Sequence, residues 1–440
     1  MLATEQGGRA IRFVVLAAVV VAVQAEVALL IAHGSNRVGV AVLAIACAVP
    51  IVLRGPAKLG VLVFPAVYLS QRFGAGGLDF SYADVALIAG VVICLAQTPW
   101  ADPIFRRLLF AFAVYMTILA VPLAVNPSRR AFLECFHRAF LVIGAVAVGS
   151  AVARAGWTRV ALRLYVLASL VVSVAAVQYT LSHDRQAATP FDINKNAGGL
   201  MVVCAIVTVI VARQQMGLWR WISNVCLVVL FAGELAFQSR GSVAALAVVL
   251  LLSAVRMKKR SLPVPIAGVV ALGLMARATL DDQAAKAAQR GANFEYSKFG
   301  TVNGRIATYE ETLQLWRQHR LFGLGIRFWR DPVVTATYAG GEPHNLLVSA
   351  LGEAGIVGAV GLVVFILLAL WALRGARSPL WLCARYLVIA QVVSGLGDIY
   401  WRAGTGTIPW LVVGLAVGTA VPSVRSGVDE LPPVSEMASR

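Results

Sequence analysis

Three side chains stand where their type and position could do chemistry. His344 and Asn345 head a long apolar run in PHNLLVSALGEAGIVG, residues 343–358. Pro343 blocks a helix from upstream, so a new helix is expected to begin at or just after His344. The positive end of a helix disfavours a protonated histidine, and an imidazole that stays neutral near pH 7 can act as a general base. A lone histidine at a membrane interface also has a purely structural reading. Arg240 lies in AFQSRGSVAALAV with no long break between apolar runs. An arginine there is costly unless it is paired or faces water; the alternative is an interface arginine that snorkels. Arg305 opens NGRIATYEETLQLWRQHR, where Asn303 is a plausible cap and Ile306, Tyr309, Leu313 and Trp316 fall on one stripe at helical spacing. The expectation is an amphipathic helix along the membrane face, with Arg305 beside free backbone N–H groups. An arginine at a helix N-terminus suits a diphosphate, although a solvated surface arginine is the commoner fate.

Other residues rank lower. Arg185 and Lys195, in SHDRQAATPFDINKN (182–196), are candidate diphosphate or substrate contacts, as is Asn345. Asp192 and Asn194 could meet sugar hydroxyls. Glu353 is expensive in lipid and is expected to face the bundle interior, paired with a cation or shaping the pocket. Glycines recur at 352, 355, 358 and 361; Gly352 and Gly355 are expected to shape the pocket and let the helix pack closely. No metal-binding spacing is evident. Asp281 and Asp282 are the nearest approach to one and read more naturally as a helix cap. The six cysteines are scattered, mostly in apolar segments, and read as small buried hydrophobes.

The elements that must position these residues are membrane helices. The chain has 440 residues, 59% hydrophobic and only 13% charged, with a mean hydropathy of +0.80. A soluble domain cannot hide that much apolar surface, and strand alternation is absent, so an all-α polytopic bundle is expected. Apolar runs long enough to approach a bilayer span lie near 13–32, 38–53, 59–70, 83–97, 108–125, 139–153, 160–181, 197–212, 220–237, 241–255, 262–278, 345–373, 382–397 and 405–421, giving about 12–14 spans. The net charge of +17 is carried mainly by short loops, which argues against nucleic acid as a partner. With the N-terminus in the cytoplasm, alternate loops hold Arg54, Lys58, Arg106, Arg107, Arg154, Arg159, Arg213, Arg220, Arg256, Lys258, Lys259, Arg260, Arg374 and Arg377, a strong positive-inside pattern. The outer face then receives 182–196, the Ser239–Gly241 turn and one large loop, 279–343. It also receives 126–138, whose Arg129, Arg130, His137 and Arg138 run against the rule; a bound anion or a miscounted span would account for them. The expected organisation is a bundle over 1–278, the large extracytoplasmic loop with amphipathic helices over 279–343, C-terminal spans over 344–421, and a disordered cytoplasmic tail over 422–440.

At these residues the chain resembles the O-antigen ligase and O-antigen polymerase superfamily of bacterial envelopes. The similarity is densest over 303–365, where NGR, LFGLGIRFW and HNLLVSALGEAGIVG follow the family's order, with SRG at 239–241 matching its earlier arginine motif. The resemblance implies a GT-C-like, metal-independent, inverting glycosyltransferase without a cofactor. It would move a glycan from a polyprenyl (undecaprenyl) diphosphate carrier to an acceptor hydroxyl at the outer face of the bacterial inner membrane. It also implies that Arg240 and Arg305 bind the diphosphate and that His344 is the base. Ligases use a glycolipid acceptor and polymerases another lipid-linked repeat, and the motifs do not separate them; the single large loop favours the ligase. The gap between Arg305 and His344 is short for the family. A transporter or flippase would instead place charge at mid-membrane in repeated halves, and no convincing repeat is present. A non-catalytic scaffold would tolerate loss of His344.

Overall fold

The structure, a computed structural model, describes residues 56–75, 78–183, 186–256, 302–331, 334, 341–374 and 378–420. The expected spans at 13–32, 38–53 and 262–278, Arg185, residues 279–301 of the large loop with Asp281 and Asp282, its residues 332, 333 and 335–340, and the tail 422–440 lie outside them. The chain divides into two compact units, Met1–Leu59 and Gly60–Arg440, and the second holds every helix and site residue named below.

Long apolar segments can satisfy their backbone in a bilayer only as helices or a closed barrel, and helices are what form. The principal helices among the described residues are α1 (Tyr82–Cys94), α2 (Pro103–Val125), α3 (Arg129–Ala139), α4 (Ala145–Arg154), α5 (Thr158–Ser182), α6 (Lys195–Met216), α7 (Arg220–Phe237), α8 (Arg240–Arg256), α9 (Val302–Gln318), α10 (Leu346–Ala372), α11 (Pro379–Gly395) and α12 (Ile408–Ala420). Six helical segments among the described residues are long and apolar enough to cross a membrane: α2, the continuous stretch Arg129–Arg154, α5, α6, α7 and α10. The protein is thus an all-α polytopic membrane protein. The apolar run at 59–70 yields a short helical stretch, 3-10 up to Leu62 and α-helical over Val63–Ala66, before an antiparallel hairpin of β1 (Arg72–Ala75) and β2 (Leu78–Ser81).

Local chemistry fixes the helix starts. Asp102 caps α2, accepting from the N–H groups of Ile104 and Phe105 with Pro103 in the first turn. Asn345 caps α10 through Leu347 and Val348, and Ser81 and Asp84 form a capping box on α1. α6 is the most enclosed of the candidate spans, packed by α5, α7, α8 and α11. α4 and α12 approach closely through small residues: a Cβ on Gly149 would lie 2.1 Å from the Leu411 carbonyl oxygen.

One expectation is corrected. The outer loop expected over 126–138 shrinks to three residues, because α3 begins at Arg129 and passes through a single wide turn, Phe140–Gly144, into α4. His137 and Arg138 are therefore on a helix and largely buried. In α9, the positions turned inward are Thr308 and Thr312, while Ile306 is 46% exposed. The threonines win that face because α9 docks on α10 beside Gly352, whose missing Cβ leaves room for Thr312 and Phe328.

α10 is broken inside its first half. Gly355 adopts φ 64°, ψ −161°, a region essentially restricted to glycine. The segment 320–325 fills the break with backbone hydrogen bonds. Ile356 and Val357 N–H donate to the carbonyls of Arg320 and Leu321, while Leu324 and Gly325 N–H donate to those of Gly352 and Glu353, at 2.8–3.2 Å. The opened turn thus keeps its polar groups paired.

Candidate active site

Four helix N-termini meet at one end of the bundle, and each carries a residue singled out from sequence or its neighbour. Lys195 is the first residue of α6, Arg240 opens α8, Arg305 lies in the first turn of α9, and His344 precedes the cap of α10. None of the four has an acidic residue in its first turn, where Asp and Glu are normally favoured. Positive helix ends are thus reinforced by cations. Lys195 lies within electrostatic reach of Arg305, Arg240 and Asp398, so the structure brings all three cations together. α8 is anchored by close packing of Gly241 on the end of α11, 3.4 Å from the Ser394 carbonyl oxygen for a Cβ placed there.

The loop after α11, residues 396–407, organises the site. Its Gly397 carbonyl accepts from Arg305 Nη1 at 2.8 Å, and its Leu396 carbonyl accepts from Asn345 Nδ2 at 2.7 Å. Asp398 Oδ1 lies 2.8 Å from His344 Nδ1. Burial works against the Asp398 carboxylate, but the hydrogen bond and charge of His344 outweigh it and hold the acid below its ordinary range. With Nδ1 donating to Asp398, the imidazole is oriented and Nε2 is left as the nitrogen that can take a proton. Tyr309 of α9 donates to the His344 carbonyl at 2.6 Å. Asn345, a candidate substrate contact, has its side chain engaged in the α10 cap and the Leu396 carbonyl.

Behind this pair lies a buried ionic network. Arg138 Nη2 donates to Glu353 Oε2 at 2.7 Å, its Nε to Glu134 at 3.3 Å and its Nη1 to the Tyr115 hydroxyl at 3.1 Å. Its guanidinium sits 5.1 Å from the centre of the Trp401 ring. Arg327 pairs with Glu134 at 2.7 Å and donates its backbone N–H to Glu353 at 3.2 Å. His137 pairs with Asp84 at 2.8 Å. The cations of 126–138 that oppose the positive-inside pattern therefore include two that are held by internal acids. Between network and site is a narrow crevice lined by Glu342, Asp398, Tyr400 and Trp401, with a volume of about 20 Å³, room for about one water.

Sequence reasoning missed Asp398, Glu134, Asp84, Arg327 and Glu342. Asp398 is the sole acid of the loop 396–407 on the expected outer face, which was its available signal. Glu134 lies four residues before Arg138, a spacing that pairs on a helix but means nothing while the segment is read as a loop.

Residues 225–363 match a family model described as O-Antigen ligase. No curated protein matches the chain. The matched region contains Arg240, Arg305, His344 and Glu353, while Lys195 and Asp398 lie on either side of it. Over residues 225–363 the match supports the resemblance of these motifs to the O-antigen ligase and polymerase superfamily.

Proposed function

We propose that this protein is an O-antigen ligase-like glycosyltransferase that moves a glycan from a polyprenyl diphosphate carrier to an acceptor hydroxyl, at the outer face of the bacterial inner membrane. One observation carries the proposal: three cations at the positive ends of three helices gather on the side of the bundle where a carboxylate, itself near Lys195, orients a histidine. In the proposed reaction, His344 Nε2 takes the acceptor's proton as the acceptor oxygen attacks the anomeric carbon. The bond from that carbon to the phosphate oxygen breaks, and its electron pair leaves with the diphosphate, inverting the centre. Arg240, Arg305 and Lys195, with the helix N–H groups, face the charge that grows on the leaving group. Preorganised donors of this kind act most strongly where charge develops, and they supply it without calling on a metal.

The test is release of polyprenyl diphosphate from a lipid-linked oligosaccharide by the purified protein, with candidate acceptors and EDTA present. Wild type is expected to release it. His344→Ala is expected to lose about 10²–10⁴-fold, the usual worth of a general base, and Arg240→Ala and Arg305→Ala at least about 100-fold, as for a lost oxyanion donor. A product ladder instead of a single transfer would move the assignment from ligase to polymerase. Binding of the donor without release, with every acceptor offered, would overturn the transferase in favour of a transporter or scaffold.

A further inference from the structure

The end of the bundle away from His344 carries a groove that the transferase chemistry does not use. α2 and α10 pack against each other along much of their length. At the start of α2 and the end of α10, Arg106, Arg107 and Phe110 line a cavity of about 720 Å³ together with Leu367, Leu368 and Trp371. Phe110 is 63% exposed, Leu367 60% and Trp371 44%, so this apolar wall is open to whatever surrounds the bundle. The guanidinium carbons of Arg107 and Arg374 lie 5.4 and 5.1 Å from the centre of the same Trp371 ring. Two like charges are thus gathered on one indole, with Arg106 beside them. Among the described residues, none of the three forms an ion pair with an acid.

Repelling cations at the rim of an exposed apolar wall are complementary to one kind of molecule, an acyl chain that ends in negative charge. We propose that this groove binds an anionic phospholipid, with its phosphate among Arg106, Arg107 and Arg374 and an acyl chain along Phe110, Leu367 and Leu368. Basic pockets between membrane helices hold anionic headgroups in this way, and a tryptophan at the headgroup level is the usual interfacial anchor. The site would be a lipid contact separate from the donor site and would not depend on the transferase assignment.

The experiment counts phosphatidylglycerol and phosphatidylcholine retained by the purified full-length protein in native mass spectrometry, over a titration of each lipid. Wild type is expected to retain phosphatidylglycerol preferentially. Arg106→Gln combined with Arg107→Gln is expected to weaken that retention about 30-fold, at about 1 kcal/mol per basic residue and about 1.4 kcal/mol per factor of ten. Arg374→Gln, on the other helix, is expected to give about fivefold by the same conversion. A control pair at a different helix connection, Arg213→Gln with Arg220→Gln, is expected to leave retention unchanged. Melting in neutral lipid checks that each variant folds, and Arg374→Gln stands in if the double variant does not. Equal losses in the control pair, or no preference between the two lipids, would overturn the proposal. So would competition by soluble glycerol phosphate as effective as the lipid, which would mark a plain anion site.

Discussion

At the scale of residues, the site is a division of labour that the pair His344–Asp398 makes explicit. Asp398 does not touch the reacting atoms in the proposed reaction; it holds Nδ1 so that Nε2 can work. Asp398→Asn should therefore lower kcat while leaving the donor's KM nearly unchanged, and should alter the pH profile of kcat, whereas Arg305→Ala should raise KM as well. The same carboxyl gives a stability prediction with a definite sign. Its folded-state pKa lies below the ordinary value, so its contribution is fully present above about pH 4 and is lost as pH falls through the lower folded value. Asp398→Asn should cost about 1.5–3 kcal/mol at pH 7, the worth of a hydrogen bond to a charged group. The gap to wild type should close on acidification below about pH 4, in unfolding measured in detergent micelles. A gap that stays constant down to pH 2 would show that ionisation of Asp398 adds nothing to stability. His344, Arg240 and Arg305 were legible because each is a polar residue at the edge of an apolar run, where a side chain needs a reason. Asp398 was not, because an acid in a polar loop needs none, and only the fold shows that the loop folds back on the start of α10.

At the scale of elements, the informative feature is the broken helix. Glycines three residues apart read from sequence as a packing face, and Gly361 does meet Ile118 of α2 closely. Gly355 serves a different purpose that no spacing rule reveals: it turns the chain so that 320–325 can pair with the opened turn. A Cβ there would lie 2.3 Å from the Leu321 carbonyl. Gly355→Ala therefore combines backbone strain with a clash against main chain that has its own hydrogen bonds to keep, and should cost more than about 3 kcal/mol. Gly156 is the fitting comparison. Its φ is also positive, at 80°, but nothing lies within 4 Å of the added Cβ, so Gly156→Ala should cost only about 1 kcal/mol of strain. Thermal unfolding of both variants in the same detergent measures the difference. Equal losses would mean that the segment 320–325 yields freely and does not lock α10. Because Glu353 lies on this turn, Gly355→Ala should also disturb the Arg138 network and, through α9 and α10, the placing of His344.

At the scale of the whole molecule, the short basic helix connections and the candidate site lie at opposite ends of the described bundle. The site end gathers the starts of α6, α8, α9 and α10 and the end of α11. The other ends of these helices and their neighbours hold Arg106, Arg107, Arg154, Arg159, Arg213, Arg220, Arg256 and Arg374. Most of this sorting was legible in the sequence, because hydropathy marks spans and short basic loops mark a side without any knowledge of packing. What hydropathy could not show is where a span ends when its polar residues are paired inside: α3 carries Glu134, His137 and Arg138 into the bundle and so reads as a loop. The positive-inside rule favours an orientation with these arginine-bearing ends in the cytoplasm and the His344 end outward, and this is the orientation we propose. The five described cysteines are buried, so an introduced surface thiol can report its side against a low background. Ser182→Cys at the end of α5 should be modified by a membrane-impermeant maleimide added to intact spheroplasts. Gln214→Cys, at the opposite end of the neighbouring α6, should react only after the membrane is opened. The reverse pattern would put the histidine and its cations in the cytoplasm, where the proposed acceptor hydroxyl is not found, and the transferase assignment would fall with the topology.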